Sequence, residues 1–525
     1  MRHVIVVGSG PAAAGCVLRL SKEENTKITM LDIGSRLPDK NFTIATQLKG
    51  LDFASWPGDM KNRLYPSKRS QNNRTLPEKL VLGSDYPFSD QGQMQQIRWE
   101  GGPRPSLVSS AFGGFSNVWG GQAYPFTKSA LQQWPDAGAG MVDAYAEVRQ
   151  ILPIAGVEDG LEEYLPTYGS LMPPPTLAKR SHYILERAQK HRLWLKRHQL
   201  TLGTARVGLE SPRCVKCGMC NGGCVWGVIF STQPYLNDLI ASHKLEYLSG
   251  WRVTKLREEH SRPILLAQSL SGEIREFRAD QVYLAAGALG TTQIVFNSRP
   301  DLQKANMLET RQVIVPLWFR HAIASPVSGS TFSLGQLGLL LDHDSQQESF
   351  LQIYPYDQSF ETALPNIIHS RPQVRNRIMA HLAVGLLYLN SEASPMIEIR
   401  AEHRDDYAEL TLAGCSMGAF DHALRGPMHR LLHAAPKLDM WPMVPMTKPT
   451  PAGRSYHWGG QFPFSPHNRG GLTTDRLGRL SSWENVHLVD ASTFPVLSPT
   501  GFMFTIMANA YRIADESIAL RGSGA

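Results

Sequence analysis

The stretch VIVVGSGPAAAG, from Val4 to Gly15, decides the fold of this chain. The β-branched run from His3 to Val7 is typical of a strand that is buried on both faces. A turn rich in glycine and alanine follows this strand, and the segment from Ala14 to Ser21 predicts a helix. A strand, a glycine-rich turn and a helix in this order predict a Rossmann-type dinucleotide-binding unit within an α/β fold.

The residues of the turn have separate roles in such a unit. Gly8 permits the tight turn, Gly10 lets the backbone approach a pyrophosphate, and Ala13 keeps helix and strand close. Pro11 and Ala12 complete the turn, and the N-terminus of the helix then faces the phosphates with its unpaired N–H groups. The turn is therefore expected to bind the cofactor.

A second strand, Lys27 to Leu31, ends at Asp32. A carboxylate at this point can accept hydrogen bonds from the ribose hydroxyls of an adenosine. The alternative is an ordinary βα turn, in which Asp32 is a solvated residue at the end of a strand. The strand, the helix and the acid together favour the dinucleotide site.

Length and composition describe a globular protein of more than one domain. The 525 residues exceed what one simple core holds, and 42% of them are hydrophobic and 19% charged. The net charge of +7 comes from scattered lysines and arginines, which gives no indication of nucleic-acid binding. No apolar stretch approaches the ~18 residues that span a bilayer. We therefore predict an unprocessed chain that is cytoplasmic or peripheral to a membrane, without a transmembrane segment or a nucleic-acid partner.

Two further stretches follow the first unit along the chain. AFGGFSNVWGG, from Ala111 to Gly121, suits a backbone that is pressed against a flat ligand. A mobile loop is the alternative, but a linker would not carry Phe112, Phe115 and Trp119. YLAAGALGTTQ, from Tyr283 to Gln293, returns to the N-terminal fold with a strand, a turn and a helix.

These two stretches resemble the signatures of the glucose–methanol–choline (GMC) oxidoreductases. GGFSNVWGG resembles the flavin-contacting loop of that family's gluconate-dehydrogenase-like branch, and LAAGALGTTQ resembles its second signature. The resemblance runs from Arg2 to about Asp515 and is weakest over 310–445. It implies a tightly held FAD, which Val253 contacts through its backbone at the adenine edge. The other contacts that it implies in these stretches are Gly113, Gly114, Ser116, Asn117, Gly120, Gly121, Ala286 and Gly287.

The segment SYHWGG, from Ser455 to Gly460, resembles the family's Tyr-His-x-x-Gly segment, in which the histidine lies over the flavin. Imidazole titrates near neutrality and can accept a hydroxyl proton as hydride leaves the carbon. The resemblance therefore implies that His457 is the catalytic base. VHLVDASTFP continues the likeness and implies flavin contacts from Asp490 and Ala491.

One position departs from the family pattern. A second His or Asn accompanies the base in the family, and this chain has Gly501 there. Three interpretations stay open: Thr500 supplies a hydroxyl instead, His467 swings close, or Gly501 opens space for a bulky substrate. Gly501 itself stays among the expected cofactor contacts.

Four of the six cysteines lie within eleven residues, at Cys214, Cys217, Cys220 and Cys224. Their C-x2-C-x2-C-x3-C spacing is that of ferredoxins that hold a [4Fe–4S] cluster, and it predicts an iron–sulfur site. Val225 replaces the proline that follows the fourth cysteine in ferredoxins. Structural thiols, buried or disulfide-bonded, stay open as an alternative, as do a zinc site and a redox dithiol.

The central region predicts an antiparallel sheet, which in the GMC fold roofs the flavin as a substrate domain. Its predicted strands are Arg311–His321, Ser349–Tyr356, Met379–Asn390, Met396–His403 and Tyr407–Leu412. We predict an FAD-binding domain over 1–135, 200–310 and 446–525, and a substrate-binding domain over 136–199 and 311–445.

Three smaller features lie in the same region. Phe350, Tyr354 and Tyr356 share one face of a strand, and we expect that face to be core rather than a substrate surface. A basic helix that is interrupted by Pro427 is predicted from His422 to Lys437. The apolar loop from Trp441 to Met446 fits a lid, a membrane-touching patch or a packed linker equally well.

The resemblance implies a flavin oxidoreductase that transfers hydride from a CH–OH group to flavin N5. Its substrate is a small alcohol or a bulky hydroxylated compound. With a cluster, the electrons would pass to a protein or quinone, as in a dehydrogenase; without one, oxygen is the alternative acceptor. Two other functions stay open: desaturation or isomerisation of a bulky substrate, and a non-catalytic electron-transfer subunit.

Overall fold

The computed structural model describes residues 1–66, 79–88, 96–101, 107–134, 138–323, 331–342, 348–354, 370–414, 418–466 and 472–522. The strands are β1 Arg2–Val7, β2 Thr26–Asp32, β3 Ile97–Trp99, β4 Ile154–Ala155, β5 Leu200–Thr204, β6 Val207–Gly208, β7 Glu246–Ser249, β8 Trp251–Glu259, β9 Arg262–Ser269, β10 Ile274–Arg278, β11 Gln281–Leu284, β12 Lys304–Glu309, β13 Gln312–Trp318, β14 Leu337–Leu341, β15 Ser349–Tyr354, β16 Leu382–Leu389, β17 Ile397–His403, β18 Ala408–Gly414, β19 Trp441–Pro442, β20 Lys448–Pro449, β21 Trp458–Gly459 and β22 Val486–Leu488. The helices are α1 Pro11–Leu20, α2 Asp39–Lys49, α3 Gly58–Leu64, α4 Lys128–Gln132, α5 Gly138–Val148, α6 Lys179–Lys190, α7 Arg192–Arg197, α8 Thr232–Ala241, α9 Ala288–Ser298, α10 Pro372–Met379, α11 Gly418–Leu438 and α12 Met503–Gly522.

Five parallel strands form one sheet in the order β22-β11-β1-β2-β7. In β1, Val4 pairs with Ile28 on one side and with Gln281 on the other. Most residues of β1, β2 and β11 are buried, as expected for a sheet that is covered on both faces. The sheet therefore joins the first residues of the chain to segments that follow much later.

Helix α1 packs closely against the C-terminal helix α12. A Cβ atom on Gly15 would lie 2.1 Å from the carbonyl oxygen of Met507, so only glycine lets the two helices lie this close. The helix begins at Pro11, earlier than the start at Ala14 that the sequence predicted. The fixed φ of proline suits the first helical turn, where no N–H partner is needed.

A second sheet is antiparallel, in the order β19-β13-β16-β15-β14-β5, with β20 also paired to β13. Three of the five predicted central strands are confirmed in it as β13, β15 and β16. Helix α11 packs its buried residues Leu431 and Leu438 against this sheet, which confirms the helix predicted from His422 to Lys437. The predicted interruption at Pro427 is wrong, because α11 continues through this residue.

The other two predicted strands, β17 and β18, belong to a separate sheet in the order β21-β12-β17-β18-β3. The prediction of one continuous antiparallel sheet is therefore wrong for this part of the chain. The physical reason is that β17 pairs with β12, through Ala305 and Ile399, rather than with its predecessor β16. This sheet brings β21, which follows His457 directly, next to β12.

The apolar loop after Met440 begins as an edge strand. Trp441 pairs with Trp318 and Pro442 with Leu317, so the start of the loop is a packed connection. Val444 and Met446 are exposed beyond it. In the ranges that the structure describes, no helix combines the length and the apolar character that crossing a membrane requires.

Candidate active site

A cavity of about 640 Å³ lies between the carboxyl ends of the parallel strands and the antiparallel sheet. Val7, Asp32 and Ala285 line it at the ends of β1, β2 and β11, and Gln352 and Tyr388 line it from β15 and β16. In open α/β sheets, the carboxyl ends of strands are where ligands bind. Its volume is also typical of a pocket for a sizeable ligand. The cavity is therefore the candidate active site.

The glycine turn after β1 leaves open space at the N-terminus of α1. Gly8 has a φ of +96°, and a Cβ atom there would lie 2.6 Å from the carbonyl oxygen of Ala285. At Gly10, in contrast, an added Cβ atom meets nothing within 4 Å, and the residue lines the cavity. The turn thus packs on the segment after β11 and leaves room on its other side. The unpaired N–H groups of the first helical turn can bind an anionic group in that room.

Asp32 is a buried acceptor at the cavity wall, with 9% of the residue exposed. The Ser9 hydroxyl donates to Asp32 Oδ2 at 2.5 Å, and the Tyr247 hydroxyl donates to the same oxygen at 2.9 Å. Burial raises the pKa of Asp32 to about 6, although both hydrogen bonds act to lower it. Asp32 is therefore not the solvated residue of the alternative interpretation. Tyr247, which sequence analysis missed, reaches this carboxylate from β7.

A second helix N-terminus borders the same cavity at the start of α9. Gly287 is the N-cap of this helix and lines the cavity beside Ala286. Asp490 follows β22 and is buried; its carboxylate accepts hydrogen bonds from the Thr291 hydroxyl and, at 3.0 Å, from the Ser492 N–H. Burial raises the pKa of Asp490. Two turns that are distant in sequence therefore meet at one wall.

The glycine-rich loop from Ala111 to Gly121 lines the cavity along much of its length. Its lining residues are Ala111, Gly114, Phe115, Val118, Trp119 and Gly120. The Ser116 hydroxyl donates to the Gly113 carbonyl at 2.6 Å, and Asn117 Nδ2 donates to the Gly114 carbonyl at 2.8 Å. These two polar side chains therefore hold the loop in shape instead of facing the cavity.

The predicted site residues of the nucleotide and flavin regions divide into two groups. Those that line the cavity are Gly8, Gly10, Pro11, Ala12, Asp32, Gly114, Gly120, Val253, Ala286, Gly287, His457, Asp490, Ala491 and Gly501. Those that do not line it are Ala13, Gly113, Ser116, Asn117, Gly121 and Thr500. Every predicted segment therefore contributes at least one residue to the cavity wall.

His457 lies at the cavity wall between two aromatic rings. The centre of its ring lies 4.9 Å from that of Tyr388, nearly parallel at 29°, and 4.8 Å from that of Phe502. Nδ1 lies 3.2 Å from the hydroxyl oxygen of Thr310, and Nε2 has no hydrogen-bond partner among the described residues. Burial lowers the pKa of His457 to about 4. The imidazole is therefore neutral at pH 7 and keeps one nitrogen available to a ligand.

The lowered pKa of His457 predicts a pH-dependent loss of stability. Between pH 6.5 and 4, the His457 imidazole binds a proton in the unfolded chain but stays neutral in the folded protein. The free energy of unfolding therefore falls as the pH falls through this window. We expect the unfolding temperature of the wild type to fall more steeply from pH 6.5 to 4.5 than that of His457→Gln. Calorimetry at constant ionic strength measures both slopes. Equal slopes would contradict the lowered pKa.

A buried ion pair fixes the backbone around His457. Glu309 accepts a hydrogen bond from the Ser455 hydroxyl at 2.9 Å, and Arg311 Nε lies 3.2 Å from the other carboxylate oxygen. Ser455 Oγ in turn accepts the N–H of His457 at 3.1 Å. Tyr456 has a φ of +57°, a left-handed conformation that costs a non-glycine residue about 1 kcal/mol or more. The pair therefore stabilises a strained segment that carries His457 to the cavity.

Thr500, the first candidate for the family's second polar group, does not line the cavity that His457 borders. Thr500 is fully buried, and its hydroxyl donates to the Pro125 carbonyl at 3.2 Å. His467 lies outside the described residues. A Cβ atom on Gly501 would lie 3.0 Å from the carbonyl oxygen of Gln122, so close packing of the backbone accounts for the glycine.

The antiparallel sheet covers the cavity with neutral side chains. Tyr354 and Tyr388 line it, and the Tyr354 hydroxyl donates to Gln352 Oε1 at 3.1 Å. Phe350 is fully buried and does not line the cavity, so the predicted aromatic face is core at Phe350 and cavity wall at Tyr354. Tyr356 lies outside the described residues. Sequence alternation can identify such a face, but it cannot show where along a strand the cavity begins.

The four clustered cysteines, Cys214, Cys217, Cys220 and Cys224, line one small pocket as free thiols. Its volume of about 10 Å³ is close to the least that holds one water molecule. Within the part of the chain that the structure describes, no group of three or more His, Cys, Asp or Glu side chains is arranged to hold a metal ion. Burial raises the pKa of Cys217 to about 12 and that of Cys220 to about 11. The geometry thus does not support the predicted iron–sulfur cluster or a zinc site, and it fits structural thiols, of which Cys220 is buried and the other three are partly buried.

No protein-family model matches this chain, and no curated protein matches it. Among solved structures, the chain is similar to pyridoxine 4-oxidase from Mesorbium loti, with a TM-score of 0.60. The likeness covers 99% of this chain and 99% of that chain at 15% sequence identity. The two proteins share a fold. The predicted α/β fold, with a Rossmann-type sheet and a second, mainly antiparallel sheet as in GMC proteins, is thereby confirmed.

Proposed function

We propose that this chain is an FAD-dependent oxidoreductase that oxidises a CH–OH group, with His457 as the base. The main support for this proposal is that four groups border one cavity. They are the N-termini of α1 and α9, the buried carboxylate of Asp32 and the neutral imidazole of His457. The name of the structural neighbour, pyridoxine 4-oxidase, agrees with this type of reaction. We retain the proposed FAD-binding domain over 1–135, 200–310 and 446–525, and the substrate-binding domain over the two segments between them.

The residues of the cavity wall fit FAD. Gly10 and the N-terminus of α1 would hold the phosphates, because an added Cβ atom at Gly10 meets only open space. Asp32 would accept hydrogen bonds from the ribose hydroxyls, and Val253 would border the adenine. Gly287 and Asp490 would hold the cofactor from the ends of β11 and β22, which lie to one side of β1 in the sheet. When bound, oxidised FAD supplies the acceptor for a hydride.

His457 would take the hydroxyl proton of the alcohol through Nε2. The imidazole can do so because burial lowers its pKa to about 4, which keeps it unprotonated at neutral pH. A proton on Nδ1 would donate to the Thr310 hydroxyl oxygen, and this tautomer leaves Nε2 with its lone pair. A positioned base of this kind contributes about 10²–10⁴ in rate.

Thr310 therefore offers a test of the tautomer. We expect Thr310→Val to slow flavin reduction about tenfold, because the neutral hydrogen bond that favours the Nδ1–H form is lost. Thr310→Ser keeps the hydroxyl and is expected to stay within about threefold of the wild type. Stopped-flow measurement with benzyl alcohol at pH 7 compares the three proteins. Equal rates in the valine and serine variants would show that Thr310 does not set the tautomer.

The alternative functions have less support than the alcohol oxidation. The hypothesis of desaturation or isomerisation of a bulky substrate depended on the extra space expected at Gly501. The Gln122 carbonyl oxygen lies close to this residue, so packing accounts for the glycine instead. The hypothesis of electron transfer to a protein or quinone depended on an iron–sulfur cluster in the cysteine pocket. The small volume of that pocket does not favour such a cluster. A non-catalytic electron-transfer subunit would bind FAD that no alcohol reduces.

The test of the proposed function uses the purified full-length chain. We expect one FAD per chain after acid release, a yellow two-band flavin spectrum and no bound iron. Flavin reduction is then followed with benzyl alcohol, pyridoxine and cholesterol, and reoxidation is compared with oxygen and with a quinone-type dye. Protein without FAD would overturn the proposal. FAD that none of the alcohols reduces would favour the electron-transfer subunit.

A further inference from the structure

The base of an alcohol oxidation works best with a second polar group at the same substrate oxygen. A base removes the hydroxyl proton, and negative charge then develops on that oxygen, where a hydrogen-bond donor stabilises it. The family pattern puts a second side chain at the position of Gly501, which has none. Another residue must therefore act as the donor if the proposed function is correct.

Tyr388 is a polar side chain whose ring stacks on that of His457. The two rings stack at 4.9 Å, and both residues line the cavity. Gln312 Nε2 lies 2.5 Å from the Tyr388 hydroxyl oxygen. An amide nitrogen can only donate, so the tyrosine oxygen is the acceptor of this bond and its own O–H proton stays available. No acceptor for that proton is present among the described residues.

The tyrosine keeps this proton over the whole neutral range. Burial raises the pKa of Tyr388 to about 12, so its hydroxyl serves as a donor and not as a base. His457 has the opposite character, since its neutral imidazole offers a lone pair. An acceptor and a donor on two stacked rings are complementary to the O–H group of an alcohol, which donates through its hydrogen and accepts through its oxygen.

We propose that Tyr388 is a second catalytic residue, whose hydroxyl donates a hydrogen bond to the reacting oxygen of the alcohol, and that Gln312 positions it. In the reaction, the O–H proton would pass to His457 Nε2, and the carbon would give up a hydride, with both electrons, for which bound oxidised FAD would supply the acceptor. The C=O double bond forms, and Tyr388 retains its own proton throughout. This role rests on the proposed function.

Tyr354 provides a matched control. It is a buried tyrosine that also lines the cavity, but its hydroxyl already donates to Gln352 Oε1 at 3.1 Å. Removal of its oxygen therefore takes away no available donor. Tyr388→Phe and Tyr354→Phe make the same chemical change on neighbouring strands, and Tyr388→Phe keeps a ring for stacking on His457.

The experiment compares the binding of benzaldehyde and styrene to FAD-loaded protein, followed by the change in flavin absorption. The two probes have nearly the same shape, but only the aldehyde carries an oxygen that accepts a hydrogen bond. We expect the wild type and Tyr354→Phe to bind benzaldehyde about tenfold more tightly than styrene. Tyr388→Phe should lose this preference. A preference that persists in Tyr388→Phe would overturn the proposal, and so would its absence, or the absence of any binding, in the wild type.

Kinetics add a second readout with benzyl alcohol as the reductant. Tyr388→Phe is expected to slow flavin reduction about 100-fold with little change in the Kd of the alcohol, because the hydrogen bond strengthens only as charge develops on oxygen. An unchanged rate would contradict the catalytic role. FAD content is measured first: protein without FAD counts against the proposed function, whereas loaded protein that shows no aldehyde preference counts against Tyr388 alone.

Discussion

Replacing His457 by Ala is expected to slow flavin reduction at least ~100-fold while the FAD content stays at one per chain. The imidazole is the proposed acceptor of the hydroxyl proton, and its loss leaves water, a far weaker base, to take that proton. FAD should be retained because the phosphate and ribose contacts proposed here come from Gly10 and Asp32, in another segment. Single-turnover reduction by benzyl alcohol, at equal flavin concentration, measures the effect.

His381 is the control for this substitution. Its ring also stacks on an aromatic side chain, with 4.8 Å between its centre and that of Trp318, and its Nδ1 lies 2.7 Å from the Phe319 carbonyl oxygen. It does not line the cavity. His381→Ala should therefore reduce flavin within about threefold of the wild-type rate. If both variants lost activity equally, the effect would be one of folding, and His457 would no longer be the proposed base.

The parts of the site that the sequence predicted are those made by one continuous segment. The strand, turn and helix around Gly8 and Gly10 are local, so the spacing of residues is enough to predict them. The same is true of the turn at Gly287, where a strand leads directly into a helix. Gly8 and Gly287 have φ values of +96° and +78°, so the local backbone itself favours glycine at these two positions.

The missed residues depend on pairing between distant strands. Tyr247 reaches Asp32 because β7 pairs with β2. Tyr388 lies on β16 and stacks on His457, which directly precedes β21 in a different sheet. In the sequence, Tyr388 is one aromatic residue in the apolar run LAVGLLYL, which predicts a strand and nothing more. Thr310 likewise has no local signal, although its hydroxyl lies 3.2 Å from the imidazole.

At the four clustered cysteines, the sequence predicted a site that the structure does not support. Their spacing predicted correctly that four thiols gather at one point, because short glycine-containing loops can turn the chain back on itself. Spacing does not determine how much room the thiols enclose. Trp226 and Phe332 also line this pocket, whose volume is about 10 Å³. The volume of a site is a property of packing, and residues outside the motif determine it.

The second prediction concerns Gly10→Val, which is expected to lower FAD affinity at least about 100-fold, or ~2.7 kcal/mol, without unfolding the protein. Gly10 has φ −72° and ψ −170°, which a side-chain-bearing residue adopts without strain. An added Cβ atom meets no protein atom within 4 Å, so the valine would occupy only the space proposed for the pyrophosphate. Equilibrium dialysis of FAD against the stripped protein measures the affinity.

Gly15→Ala, in the same helix, separates loss of the cofactor from loss of the fold. Its Cβ atom would lie 2.1 Å from the Met507 carbonyl oxygen, so α1 and α12 must move apart whether or not FAD is bound. We expect Gly15→Ala to unfold at a lower temperature than stripped wild-type protein, and Gly10→Val to unfold at the same temperature as that protein. Full FAD content in Gly10→Val would show that no phosphate lies against this turn. The cavity would then need another ligand. The open space beside Gly10 is the feature that most directly supports an anionic group bound to the backbone N–H groups of this turn.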